Sequence, residues 1–228
     1  MKDRRAVLAS AVGALPALAL GVEAPPANDA ETCVRPARGP DAHRFPNHVV
    51  VTHEETRALF YDDLLAGKTV LLHCMSIVSE PTYRSVERVA ALQPLLAERL
   101  GRDLFMYSLT VDPERDTPVA LRAFAARAGA GPGWLFLTGE PATMADLRMR
   151  LFWSATAHAA HEHDHEAGHE RDDCAMAMLR YGNAAVGLWG AVPAKADPRW
   201  IVQRLAWVRA RDVAAGAPRR RGPAPLRS

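Results

Sequence analysis

Chemistry in this chain is concentrated in one short stretch. Residues 158–174 read HAAHEHDHEAGHERDDC and hold five of the nine histidines, His158, His161, His163, His165 and His169, together with six carboxylates and Cys174. Neutral imidazoles and carboxylates suit divalent copper, zinc or nickel, whereas monovalent copper favours sulfur, although paired imidazoles also hold it. Two geometries gather these rings. On a helix, His158, His161, His165 and His169 step by three, four and four and share a face. In an extended chain, His161, His163 and His165 share a side. Either way three or more imidazoles converge, and the acids between them can fix the ring tautomers. The competing reading is a solvated low-complexity tract without a physiological metal.

The three cysteines, Cys33, Cys74 and Cys174, are far apart in sequence. They form neither a CxxC nor a CxxxC pair, which argues against dithiol redox catalysis and against a cysteine-knuckle zinc site. Cys74 ends an apolar run. It is either a small core residue or, with Cys174 and with His73, Met176 or Met178, part of a soft site for monovalent copper. A Cys74–Cys174 disulfide is a third arrangement the sequence leaves open. His43, His48 and His53 lie around the first strand and read as surface residues.

These groups need a frame, and the chain supplies material for one. Of 228 residues, 49% are hydrophobic and 24% charged, an ordinary globular composition that favours one domain with tails. A net charge of +2, with no nucleic-acid motif, gives no footing for nucleic acid. Residues 48–52 predict a strand, with residues 57–64 returning as its hairpin partner. The continuous apolar run 68–75 predicts a strand buried on both faces. Val86, Val89, Leu92, Leu96 and Leu100 recur every three or four residues and predict one helix over 83–100. A strand follows at 103–112. Thr117 caps a helix that opens on Pro118. A strand at 134–137 and a helix at 142–151 precede the histidines. A closing hairpin turns at Gly182-Asn183, and a last helix begins at Pro198 with Trp200, Ile201, Leu205 and Val208 inward. Trp134, Trp189, Trp200 and Trp207 read as packing residues. The order β-β-β-α-β-α-β-α-β-β-α predicts an α/β three-layer sandwich of the thioredoxin-like kind, with an N-terminal β-hairpin and a histidine-rich insertion.

The ends differ in character. Lys2, Arg4 and Arg5 precede an apolar run over 6–20 and then small residues. Residues 1–24 are therefore expected to be an export signal, and Arg4-Arg5 before Ala6-Val7-Leu8 resembles a twin-arginine leader to the periplasm. A short membrane anchor is the alternative, although the run falls short of the roughly 20 residues a span needs. Residues 25–44 read as a linker, 45–213 as the folded domain, and 214–228, rich in Ala, Pro, Gly and Arg, as a disordered basic tail.

Five stretches, in order, resemble the Sco/SenC family: FPN (45–47), FYDDLLAGKTVLL (60–72), GRDLFMYSLTVDPERDTP (101–118), GPGWLFLTG (131–139) and RYGN (180–183). The resemblance implies a thioredoxin-like fold and a copper carrier serving assembly of cytochrome c oxidase. It also implies copper ligands in a CxxxC just after the strand at 68–75 and in a histidine shortly before RYGN. Here the chain departs from the pattern. Ser76-Ile77-Val78-Ser79-Glu80-Pro81-Thr82 carries no cysteine, and Ala175 stands where the histidine would be. Asp112 alone transfers, as a residue that shapes its loop. The expected function is thus an exported metal-binding accessory protein, with copper as the first choice and zinc or nickel as alternatives, and with a respiratory oxidase subunit or another metal-receiving protein as partner. It is not expected to be an enzyme. The alternative is a non-redox interaction domain that binds no physiological metal.

Overall fold

The computed structural model describes residues 42–152 and 175–208, all within the unit Glu31–Ser228. Its organising element is β3 (Thr69–Met75), every residue of which is buried. A strand this apolar is stable only between two covered faces, and it has parallel β4 (Leu104–Thr110) on one side and antiparallel β6 (Met178–Asn183) on the other. With β1 (Val49–Thr52), β2 (Arg57–Leu59), β5 (Trp134–Thr138) and β7 (Leu188–Pro193) they form one seven-stranded sheet in the order β2-β1-β5-β4-β3-β6-β7. The strands β3, β4 and β5 are parallel, and the hairpins β1–β2 and β6–β7 finish the sheet antiparallel at its two edges.

Alternation along the strands divides the core in two. Leu71 and Met75 of β3, Met106 of β4, and Trp134 and Phe136 of β5 face α2 (Ser85–Ala90), α3 (Gln93–Leu96), α4 (Pro118–Arg127) and α6 (Pro198–Trp207). Val70, Leu72, Tyr107 and Leu137 face a π-helical turn, Phe60–Leu65, and α5 (Pro141–Phe152). This is the expected three-layer α/β sandwich with its N-terminal hairpin.

Local chemistry shifts several boundaries. The return strand of the first hairpin ends at Leu59, because Asn47 takes over there. Its Oδ1 accepts the Tyr61 and Asp62 N–H groups at 3.2 and 3.1 Å, and its Nδ2 donates to Asp62 Oδ2 at 2.8 Å, so the chain turns helical. The single helix expected over 83–100 is instead α1 (Glu80–Tyr83), α2 and α3. Arg84 takes a left-handed φ of 51° between the first two, and Pro94 has no N–H to donate in the third. The closing hairpin turns after Asn183, not on it. Asn183 is buried, donates to Thr69 Oγ1 at 3.1 Å and accepts the Ala185 N–H at 2.9 Å, while Gly187, at φ 68°, supplies the positive φ. Gly182 serves packing, since a Cβ there would lie 2.2 Å from the Trp189 ring. On α6, Ile201, Leu205 and Val208 point inward as expected, but Trp200 and Trp207 are exposed. A helix resting on a sheet buries one stripe, and three aliphatic residues already fill it.

Candidate functional site

In open sheets with parallel strands, ligands gather beyond the carboxyl ends of those strands. In this chain that region is the turn leaving β3, and it is tightly organised. Val111 N–H donates to the Met75 carbonyl at 2.9 Å. Asp116, itself buried, accepts from Thr110 Oγ1 at 2.5 Å and from the Ile77 N–H at 3.3 Å. The DPERDTP loop therefore clamps the turn that follows β3. Burial pushes the Asp116 carboxyl above its ordinary value, and the Thr110 and Ile77 hydrogen bonds oppose that shift. Asp112 shapes the same loop, accepting the Asp116 N–H on its carbonyl at 2.8 Å. The resemblance points to Asp112 and not to Asp116. Its signal was a carboxylate one residue before the capping Thr117, where the loop must close.

Next along the chain, Glu80 does what a helix-capping side chain does. Its Oε1 accepts the Val86 and Glu87 N–H groups at 2.8 and 3.0 Å, and its Oε2 accepts from Ser85 Oγ at 2.9 Å. The carboxylate satisfies donors at the start of α2 that would otherwise face no acceptor. The resemblance implies a cysteine pair in this stretch; here the stretch is held by a cap. A cleft of about 540 Å³ opens beside it between α1–α2 and α4, with Ile77, Val86, Phe124 and Ala128 among its lining.

Cys74 is 1% exposed and packs with Ala175 and Met176, and Tyr83, Val111 and Phe152 close around the three. Of the three arrangements open to this thiol, its described surroundings favour the core residue. Ala175, at the place of the implied histidine, is part of the same apolar cluster. His73, its neighbour, points to the opposite face. There its Nε2 lies 2.6 Å from Ser108 Oγ, which also accepts from Trp134 Nε1 at 2.8 Å. Nδ1 has no hydrogen-bond partner among the described residues. Complete burial lowers the His73 pKa from 6.5 to about 4, so the ring is neutral. His48 is half-buried and bonds Asp146 at 2.8 Å. His53 Nδ1 accepts the Phe136 N–H at 3.2 Å, and burial lowers its pKa too. His43 is exposed, as expected.

The predicted ligands His158, His161, His163, His165, His169 and Cys174 lie outside the described residues, as do residues 1–24, the 25–41 part of the linker and the tail. Among the described residues no three His, Cys, Asp or Glu side chains are grouped to hold a metal. Nor is any described helix long and apolar enough to cross a membrane. The residues that bracket the histidine segment are described, however. Phe152 ends α5 and Ala175 resumes the chain, and both belong to the Cys74 cluster.

Fold and site together define a thioredoxin-like α/β protein whose ligand end is closed by a carboxylate cap and an apolar cluster. The SCO1/SenC family model matches residues 73–207, and the chain belongs to that family. Among solved structures it is similar to a SCO1/SenC family lipoprotein from Bacillus anthracis str. Ames, at 15% identity and a TM-score of 0.52, over 72% of this chain and 94% of that one. It is also similar to BsSco, a member of the Sco family of cytochrome c oxidase assembly proteins, at 17% identity and a TM-score of 0.51, over 70% and 90%. Arabidopsis thaliana ScoI with copper bound aligns at 16% identity and a TM-score of 0.49, over 70% and 93%. The likeness to the first two establishes the Sco fold. No curated protein matches the chain.

Proposed function

We propose that this protein is an exported metal-binding accessory factor, a copper carrier or assembly factor for a respiratory oxidase. Its ligands are the imidazoles of His158, His161, His163, His165 and His169, with Cys174 beside them. The observation that carries the reading is the meeting of Phe152 and Ala175 in one cluster with Cys74. The described residues on either side of the histidine segment, Phe152 and Ala175, lie at the sheet end where the family's ligands are implied, which supports a ligand role for its imidazoles in place of the missing thiolates. Membership of the SCO1/SenC family supports copper as the metal, with zinc or nickel as the alternatives the ligand types allow. The absence of any CxxC or CxxxC supports a carrier over a thiol-redox enzyme. The lipoprotein relative supports export, with residues 1–24 as leader, 25–44 as linker, 45–213 as the working domain and 214–228 as a basic tail.

The test is the metal content of protein purified from its native compartment, followed by copper titration. His161→Ala/His163→Ala/His165→Ala, or deletion of residues 158–169, is expected to weaken copper binding by more than about tenfold, while Cys74→Ala leaves the stoichiometry unchanged. Unaltered copper affinity in the triple variant sinks the proposal. The apolar cluster filling the family's ligand position then favours a non-redox interaction domain without a physiological metal.

A further inference from the structure

Among the described residues, the outward face of α6 takes no part in the hydrophobic core. Ile201, Leu205 and Val208 anchor the helix, and Asp197 caps it by accepting the Arg199 and Trp200 N–H groups at 2.9 and 3.1 Å. About two turns apart on the other side, Trp200 is 36% and Trp207 69% exposed. The Arg204 guanidinium lies between them, 4.6 and 4.3 Å from their ring centroids. Two exposed tryptophans on one helix are costly to leave in water, and no residue of α6 carries negative charge. From Pro198 to the end the sequence holds eight arginines and one acid, Asp212, a charge of +7; since the whole chain is +2, residues 1–197 carry −5.

We propose that this face of α6 docks on an anionic phospholipid surface. Tryptophan rings settle at headgroup depth, where an apolar body and a polar N–H are both satisfied. Arginines of one sign, spread along helix and tail, match a diffuse negative field and add attraction residue by residue. Exposed tryptophan rings flanking a single-sign arginine series match the headgroup layer, which offers both a polar–apolar boundary and a diffuse negative charge. The docking uses no metal ligand, so it stands or falls separately from the metal reading.

Because the apolar run 6–20 can itself bind lipid, the readout must be local to α6. Full-length protein is mixed with vesicles brominated in their acyl chains, made of phosphatidylcholine alone or with one-third phosphatidylglycerol. Anionic vesicles are expected to quench tryptophan fluorescence about threefold more than neutral ones. That excess disappears in Trp200→Ala/Trp207→Ala, in Arg199→Glu/Arg204→Glu and at high salt. An unchanged far-ultraviolet circular dichroism spectrum and thermal midpoint report an intact core in every variant. Equal quenching by both vesicle types overturns the proposal, as does excess quenching that survives the double substitutions. Self-association through this face without vesicle quenching overturns it in favour of a second copy as occupant.

Discussion

His73 and Cys74 are neighbours on one strand, and both are of residue types that bind metals. They nevertheless enter opposite environments. His73 sits in a polar pocket inside the core, with its Nε2 on Ser108 and Trp134 on the same hydroxyl. Cys74 turns to the other face, among Ala175, Met176, Tyr83, Val111 and Phe152. The difference shows that in a strand covered on both sides, alternation decides which neighbours a side chain meets, and here both chemically capable residues serve packing. The polar side of the pair is the more demanding, because every buried donor there needs an acceptor.

Breaking the polar side should cost most. Ser108→Ala leaves the Trp134 N–H and the His73 Nε2 without their partner, at about 1–3 kcal/mol each, so a loss of about 4 kcal/mol is expected in urea unfolding. A loss below about 1 kcal/mol would mean that the network is not a stabilising element. The pH dependence of stability sharpens the same side. His73 is neutral when folded, with a pKa near 4, and takes a proton near 6.5 when unfolded. Its contribution is fully present above about pH 6.5 and is lost as pH falls towards 4, about 3 kcal/mol in all. Asp116, raised by burial, acts with the opposite sign, most favourably when protonated. The wild type compared with His73→Gln isolates the histidine: the variant should lose the steep decline between pH 6.5 and 4, and equal slopes would refute the assignment. The apolar side should respond least. Cys74→Ser places a hydroxyl in the cluster and is expected to cost about 2 kcal/mol, measured as a shift in thermal midpoint. A neutral result would show that water reaches the thiol.

Much of this architecture was readable from residue order. The apolar run around β3, the Pro118 helix start and the paired hairpins at the two ends predicted the sandwich, because periodicity and turn chemistry are local properties. What failed came from specific side-chain contacts that periodicity does not register. Asn183 looked like a turn residue but is fixed by Thr69, 114 positions away. The helix over 83–100 broke at Arg84, where Glu80 folds forward to cap α2. Trp200 and Trp207 looked like core residues because their type is apolar, but the stripe of α6 was already full. Asp116 has no local signature because it bonds both Thr110, at the end of β4, and the Ile77 N–H, 39 positions away in the turn after β3.

By itself, the sequence determined the fold class, the family, the absence of a CxxxC pair and the presence of a dense set of imidazoles, all of which depend on residue identity and spacing. Only the tertiary structure decided that Cys74, Tyr83, Ala175, Met176 and Phe152 pack together, so that the implied family ligand position is apolar and both flanks of the histidine segment meet there. The reason is physical: composition and periodicity specify which face of an element is buried, but which buried faces meet is settled by packing across the whole sheet.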